Sequence, residues 1–360
     1  AKQIADETEI VSVLLGSGAP VYASVAPSFT AYFNGIGIAS IRAGLKQLGF
    51  ADAEETAIGA TFVKREYERI SREGVQSVVI TSCCPTVNTL IEKYYPEITE
   101  CLAPVMTPMQ AHCMDIKRRH SDAKTVFIGP CLSKKDEAAR VGVDAALTFE
   151  EIAAMFAKKG IVLESMRDHD EKSRARLFPT SGGVLNTMTY KNPLYDYYTI
   201  DGLDNVIPAL EDIRHGGIEH CFIEMSACAG SCVRGPIMRR KHPSSVRDYQ
   251  AVSSYAGKED FNVEQPEVSQ LVNEYRPAFL HKVKPSHTEL MEILRKMGKV
   301  SPADELNCGT CGYNTCRDKA EAIYQGKAEI NMCLPYLMEK SERFADNILD
   351  NTPNGIIVVN

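Results

Sequence analysis

Val78-Val79-Ile80-Thr81-Ser82-Cys83-Cys84-Pro85 is a short apolar, β-branched run that stops at two adjacent cysteines and a proline. The run has the character of a buried strand in a parallel sheet. Proline then ends the strand and opens a turn or helix. Two thiols are thereby set at the carboxyl end of a strand, where open α/β sheets hold their ligands.

The pattern recurs twice. Thr125-Val126-Phe127-Ile128 runs into Gly129-Pro130-Cys131, and Cys221-Phe222-Ile223-Glu224-Met225 runs into Ser226-Ala227-Cys228-Ala229-Gly230-Ser231-Cys232. If these strand ends converge, Cys84, Cys131, Cys228 and Cys232 supply four thiolates, the ligand count of a cubane iron–sulfur cluster. Cysteine is also a small buried hydrophobe. That alternative leaves unexplained why each stands just after a strand and beside Gly or Pro.

The chain has 360 residues, 44% hydrophobic and 24% charged, with net charge −7. This suits two or three globular domains with a sizeable core and leaves no basic footprint for nucleic acid. No apolar run approaches the roughly 18–20 residues of a membrane helix, and no signal peptide opens the chain. It begins with Ala and stops inside an apolar run, which predicts a piece of a longer protein. Twelve cysteines in a chain this long point to metal sites in a reducing cytoplasm rather than to a disulfide scaffold.

Strands are expected at Ile10–Leu15, Val21–Ala26 and Arg176–Phe178, besides the three that deliver cysteine. Helices are expected at Ile36–Leu48 with Gly49 as C-cap, Thr61–Ser71, Asn88–Tyr95, Pro108–Lys117, from Ser133, at Thr148–Lys158 with a Thr148/Glu151 capping box, at Leu210–His215, Val268–Tyr275 and His287–Met297. The fold class is therefore α/β, with mainly parallel sheets flanked by helices in two lobes around a buried metal cluster. A small, mostly helical C-terminal region follows. It carries Cys308-Gly309-Thr310-Cys311-Gly312-Tyr313-Asn314-Thr315-Cys316 and, farther on, Cys333, spaced C-x2-C-x4-C-x16-C. Four thiolates also suit structural zinc. Zinc ribbons favour two C-x2-C pairs, so a second [4Fe–4S] centre that relays electrons is the preferred reading. Cys101 and Cys113 have no motif around them, and Cys221 has the character of a core residue. The eight histidines stand at no ligand spacing such as H-E-x-x-H.

The three cysteine strands together resemble the active-site signatures of [FeFe]-hydrogenases. Thr81–Pro85 matches the family's TSCCP. Pro130-Cys131-Leu132-Ser133-Lys134 with Glu137 matches its second motif, and Glu224, Ala227, Cys228, Cys232 and Gly235 keep the frame of its third. Ala26-Pro27-Ser28 and Gly182-Gly183 fall where the family has such elements. The resemblance spans about residues 10–285. It implies a [4Fe–4S] cubane on Cys84, Cys131, Cys228 and Cys232, with Cys232 bridging to a two-iron subcluster that carries CO, cyanide and azadithiolate. It also implies that Cys83 passes protons, a role open to a thiol of reference pKa ~8.5. Lys134 is implied to face one cyanide, Ser28 to lie near the other, and Glu66 to stand beside the proton-transfer cysteine.

Some positions depart from the family. Gly129 and Ser226 replace methionines that pack around the two-iron unit, and should leave room for water or a hydroxyl hydrogen bond that retunes it. Ser231 replaces a glycine, and Arg234 and Pro236 interrupt a glycine run. Ala103 and Arg69 stand where the usual proton relay has serine and glutamate. With the second cysteine set, these departures resemble the family's sensory branch, in which an iron–sulfur domain precedes a PAS domain. Helix Pro335–Leu349, with its stripe Leu337, Phe344 and Ile348, and the strand-like Gly355–Val359 are similar to a PAS entry. The expected domains are 1–285 for the H-cluster, 286–335 for the second cluster, and 336–360 for a linker helix and PAS start.

The implied activity is reversible 2 H⁺ + 2 e⁻ = H₂, at low turnover as an H₂ sensor. The alternatives are a high-turnover metabolic hydrogenase and a non-catalytic iron–sulfur binding or assembly protein. Implied partners are H₂, protons, an electron-transfer partner, maturation proteins and a downstream signalling kinase or phosphatase. A homodimer is compatible; nucleic acid and membrane are not expected partners.

Overall fold

A computed structural model describes residues 4–168, 172–242, 245–278 and 284–351. It divides into two compact units, Ala1–Phe279 and Leu280–Asn360. The division falls a few residues before the 285/286 boundary expected from sequence.

Seven strands are found among the described residues: β1 (Val21–Val25), β2 (Asp52–Glu55), β3 (Val78–Ile80), β4 (Lys124–Gly129), β5 (Ala145–Thr148), β6 (Asp196–Asp201) and β7 (Cys221–Ser226). They form two all-parallel sheets, ordered β2-β1-β4-β5 and β3-β7-β6. β3 and β7, buried along their whole length, are adjacent in one sheet, as are β1 and β4 in the other. All carboxyl ends in a parallel sheet share one edge, so these two pairings gather the cysteine-bearing turns.

The helix Ala57–Glu73 joins the two sheets. It packs against the helix Pro108–Arg119, which lies on β1 and β4. It also shares a buried cluster with Val79 and Phe222 of the second sheet. Gly59 makes the helix crossing close, because a Cβ there would lie 2.2 Å from the Pro108 carbonyl oxygen. Helix signals in the sequence translate directly. Gly49 closes the helix Ile38–Leu48 in the left-handed region (φ 110°), and Thr148 with Glu151 forms the capping box of Phe149–Lys158.

Several elements differ from expectation. Ile10–Leu15 belongs to a helix, Thr8–Gly16, rather than a strand. Its β-branched residues imitate a strand run, but Val11 alone of the helix is fully buried. Arg176–Phe178 lies at a 3-10 turn, Arg174–Leu177, because Arg176 is drawn inward by Glu55. The helix expected over Val268–Tyr275 stops at Leu271, whereas the one expected at Leu210 starts at Leu203. The helix after Cys84 begins at Pro85, a proline at its first position.

The second unit packs the helices His287–Lys296 and Cys316–Tyr324 around Leu294, Met297 and Ala320, with Cys316 and Cys333 in the same core. A further helix spans Leu334–Asn351, with Leu337 and Phe344 exposed. The side chain of Ile348 and the expected strand at Gly355–Val359 lie outside the described residues. Among the described residues, no helix is long and apolar enough to cross a membrane.

Candidate metal centres and their surroundings

Cys83 and Cys84 follow β3, and Cys84 is the N-cap of the helix Pro85–Tyr94. Thr81 fixes this turn to β7, donating its N–H to Ile223 O at 2.9 Å and taking Met225 N–H on its hydroxyl at 3.3 Å. Cys131 follows β4 and precedes the helix Ser133–Val141. The turns after β3 and β4 meet directly, since the hydroxyls of Thr86 and Ser133 hydrogen-bond at 2.6 Å. The third turn meets the second at Gly235. A Cβ placed there would lie 3.7 Å from Pro130 O and 3.9 Å from Cys228 Sγ. Ala26 follows β1 and donates its N–H to Ile128 O at 2.8 Å, tying the Ala26-Pro27-Ser28 segment to the end of β4.

The four thiols also sense one another electrostatically. Burial pushes Cys131 up to about 12, with further upward pressure from Cys84 and Cys228. Cys232 is pushed well above the usual thiol range by burial and then by Cys131, Cys84 and Cys228. Cys228 is raised by burial and by Cys84. Each of the four cysteines keeps some accessible surface. Four such groups ionise together only around compensating positive charge, which is what an iron cluster supplies. Among the described residues, no three Cys, His, Asp or Glu side chains close on one point as a single ion requires.

Two polar groups accompany the cysteines. Ser28 Oγ is buried without a hydrogen-bond partner. Lys134 Nζ donates to Glu137 Oε2 at 2.6 Å, and Glu137 Oε1 accepts from Thr107 Oγ1 at 2.6 Å. Burial works against the Lys134 ammonium, but Glu137 outweighs it and holds the lysine above its ordinary range. The lysine's charge acts on Cys83, Cys131 and Cys232. An unpaired buried hydroxyl, a charged lysine and four thiols fit an anionic metal assembly.

The Cys83 thiol is pushed up to about 12 by burial, against the lowering effect of its hydrogen bond with Tyr67. Tyr67 Oη lies 3.2 Å from Cys83 Sγ and 3.0 Å from Ser82 Oγ, and accepts the Ser82 N–H at 2.9 Å. Sequence pattern did not single out Tyr67, which reads as one apolar position among many on a long helix. Glu66, expected beside Cys83, points its carboxylate to Arg69, whose Nε donates to it at 2.8 Å. Ala103 sits against β3, donating its N–H to Ile80 O.

Gly129 does not leave the room expected of it. A Cβ there would lie 2.5 Å from Phe127 Cζ and 3.1 Å from Ala26 Cβ, so the ring of Phe127 takes the space. Ser226, buried at the end of β7, accepts the Gly202 N–H on its carbonyl at 2.9 Å. Ser231 has φ 61° and ψ −162°, a region essentially reserved for glycine. The turn between Cys228 and Cys232 therefore keeps a glycine backbone with a serine in it. Ser231→Gly is expected to stabilise the first unit by roughly 1–3 kcal/mol, less the entropy glycine adds to the unfolded chain. The check is an upward shift of a few degrees in thermal midpoint at matched cluster loading; an unchanged or lower midpoint contradicts the strain.

Glu224 of β7 is held at about 7 by burial, which outweighs backbone N–H bonds from Leu185, Val184 and Gly182. Its ordinary value is 4.5. Between these values folding takes up a proton, so this group costs stability increasingly as pH rises from 4.5 to about 7, and by a constant amount above. Glu224→Gln should remove that slope, gaining roughly 3 kcal/mol on the wild type across the window. Denaturation midpoints at pH 4.5, 6 and 8 test it; parallel curves for the two proteins exclude it.

In the second unit Cys316 opens its helix, its N–H donated to Asn307 Oδ1 at 2.8 Å. Cys333 follows the 3-10 turn Ile330–Met332. Cys308 Sγ lies 3.2 Å from Thr310 Oγ1. These three and Cys311 line one cavity. Cys101, Cys113 and Cys221 sit in hydrophobic clusters.

A family model described as "Iron only hydrogenase large subunit, C-terminal domain" matches residues 19–236, and one described as "Putative Fe-S cluster" matches residues 304–335. The chain is 30% identical over 263 residues to the periplasmic [Fe] hydrogenase large subunit of Nitratidesulfovibrio vulgaris, covering 54% of this chain and 62% of that protein. It is 27% identical over 283 residues to iron hydrogenase 1 of Clostridium pasteurianum, covering 62% and 49%. It is also 26% identical over 215 residues to the cytosolic Fe-S cluster assembly factor NAR1 of Encephalitozoon cuniculi, covering 51% and 59%. The chain thus spans about half to three fifths of the length of these relatives. A solved structure of a variant of [FeFe]-hydrogenase HydA1 from Chlamydomonas reinhardtii aligns with a TM-score of 0.59 at 16% identity, covering 77% of this chain and 100% of that one. With a family match over more than half its length, on a fold whose strand ends gather the cysteines, the chain belongs to the family of C-terminal domains of iron-only hydrogenase large subunits.

Proposed function

We propose that this chain is a low-turnover [FeFe]-hydrogenase that senses H₂ through the reversible reaction 2 H⁺ + 2 e⁻ = H₂. The observation that carries the reading is Cys83, whose Sγ meets Tyr67 Oη at 3.2 Å, accompanied by four strand-end thiols, Lys134 and the unpartnered hydroxyl of Ser28. Cys84, Cys131, Cys228 and Cys232 would hold the cubane. Lys134 and Ser28 would hold the cyanides of a two-iron unit bearing CO, cyanide and azadithiolate. That group, when bound, supplies the two-electron chemistry. The chain's own part is to keep it dry and to bring protons. Cys83 holds a proton at Sγ, and Tyr67 Oη, within hydrogen-bond reach, orients the thiol and connects it to Ser82. Ala103 and the Arg69–Glu66 pair support an altered proton route and therefore low turnover.

On this reading residues 1–285 form the H-cluster domain, and 286–335 hold a second [4Fe–4S] cluster that relays electrons. Residues 336–360 lead toward a PAS domain and a signalling kinase or phosphatase in the cytoplasm. Infrared spectra and iron counts of the chain after treatment with maturation proteins test the reading. CO and cyanide bands, two added irons and a small H₂-oxidation current are expected. Cubanes alone, without bands or current, assign the chain to the cluster-assembly class instead. Turnover matching fermentative enzymes would reject the sensor role.

A further inference from the structure

Lys319 lies three residues after Cys316 on the helix Cys316–Tyr324. That spacing puts both on one helix face. The lysine lines the same cavity as Cys308, Cys311, Cys316 and Cys333, is 0% exposed, and its Nζ has no hydrogen-bond partner. Lys64, Lys134 and Lys135, also buried, each grip a carboxylate at 2.6–2.8 Å. An amine taken out of water with nothing to bond is costly and persists only where an anion offsets it. Lys299, largely buried, lines the cavity as well. The cavity thus combines four thiols with two cationic side chains, and the more deeply buried of the two, Lys319, is the one whose amine has no hydrogen-bond partner.

Resting on the reading that this cavity holds a four-iron cluster, we propose that Lys319 is the charge partner of that cluster and raises its reduction potential. In the redox step one electron passes from a donor to the cluster, no bond forms or breaks, and the cluster's negative charge grows by one. A fixed positive charge beside it favours the reduced form more than the oxidised one, so removing that charge lowers the potential. Nothing about Lys319 in the sequence announces this. Among the charged residues of Cys316-Arg317-Asp318-Lys319-Ala320-Glu321, only the fold separates the one that points inward.

The test is a potentiometric titration of the full chain with electron paramagnetic resonance detection. The second cluster's signal is identified as the one lost in Cys311→Ala. Lys319→Gln and Lys319→Met are expected to lower its midpoint by at least a tenfold change in the reduction equilibrium, about 59 mV for one electron. Lys319→Arg should stay nearer the wild type. If the neutral variants lose the cluster by iron and sulfide analysis while Lys319→Arg keeps it, the charge requirement is equally supported. Neutral variants that titrate at the wild-type potential with full signal overturn the proposal and leave the cluster reading standing. Loss of the cluster in Lys319→Arg as well also overturns it, in favour of packing. A wild-type chain in which Cys311→Ala removes zinc, or no signal, defeats the cluster reading and the proposal together.

Discussion

Replacing Cys83 by alanine is expected to cut H₂ turnover by roughly 10²–10⁴-fold, the usual worth of a positioned proton donor, while leaving the iron content unchanged. The thiol is in the right protonation state for the task. Burial holds it neutral far above working pH, and Tyr67 Oη at 3.2 Å orients it. It stands one residue from a proposed ligand, Cys84, whose charge adds to the upward pressure on it. Cys84→Ala is the contrasting variant and should lose iron. Tyr67→Phe removes the hydroxyl from Cys83 and Ser82 and should reduce turnover without altering the infrared bands. H₂ oxidation and infrared spectra on the same samples separate these cases. A Cys83→Ala protein as active as the wild type would show that protons enter elsewhere.

The second large effect concerns stability. Arg176 is 1% exposed and forms a two-pronged pair with Glu55, at 2.8 and 2.5 Å. It also donates Nη1 to Tyr255 O and lies over the Tyr255 ring at 4.0 Å. Arg176→Met is expected to destabilise the first unit by about 3–5 kcal/mol, chiefly because the Glu55 carboxylate stays buried with its main partner gone. Glu55→Gln in the same chain should recover part of the loss, and a double-mutant cycle on denaturation midpoints measures the coupling. If the single variants cost little and their effects add, the pair is not what holds the turn at Arg174–Leu177 against β2.

That pair also explains what could not be read from sequence. Asp52-Ala53-Glu54-Glu55 carries no strand signal, yet it forms β2, because β1 offers it a parallel edge and Arg176, His112 and Arg119 satisfy its carboxylates. Thr8–Gly16 misleads in the opposite way, being β-branched but helical. The cysteine-bearing turns were legible because an apolar run, a breaker and a thiol are all local signals. Tyr67 and Lys319 were not, since each becomes special only through what packs opposite it. The Lys134–Glu137 pair sits between these extremes, visible as an i, i+3 spacing while its burial was not.

The ring of Phe127 beside Gly129 has a consequence for descent. A chain that acquires a bulky residue at 129 before 127 shrinks must pass through a crowded, less stable protein, and one that shrinks 127 first passes through a cavity. Either order obstructs a single-step return. Lineages carrying this aromatic–glycine couple should therefore keep both partners or exchange both, so that a change in one position foretells a change in the other.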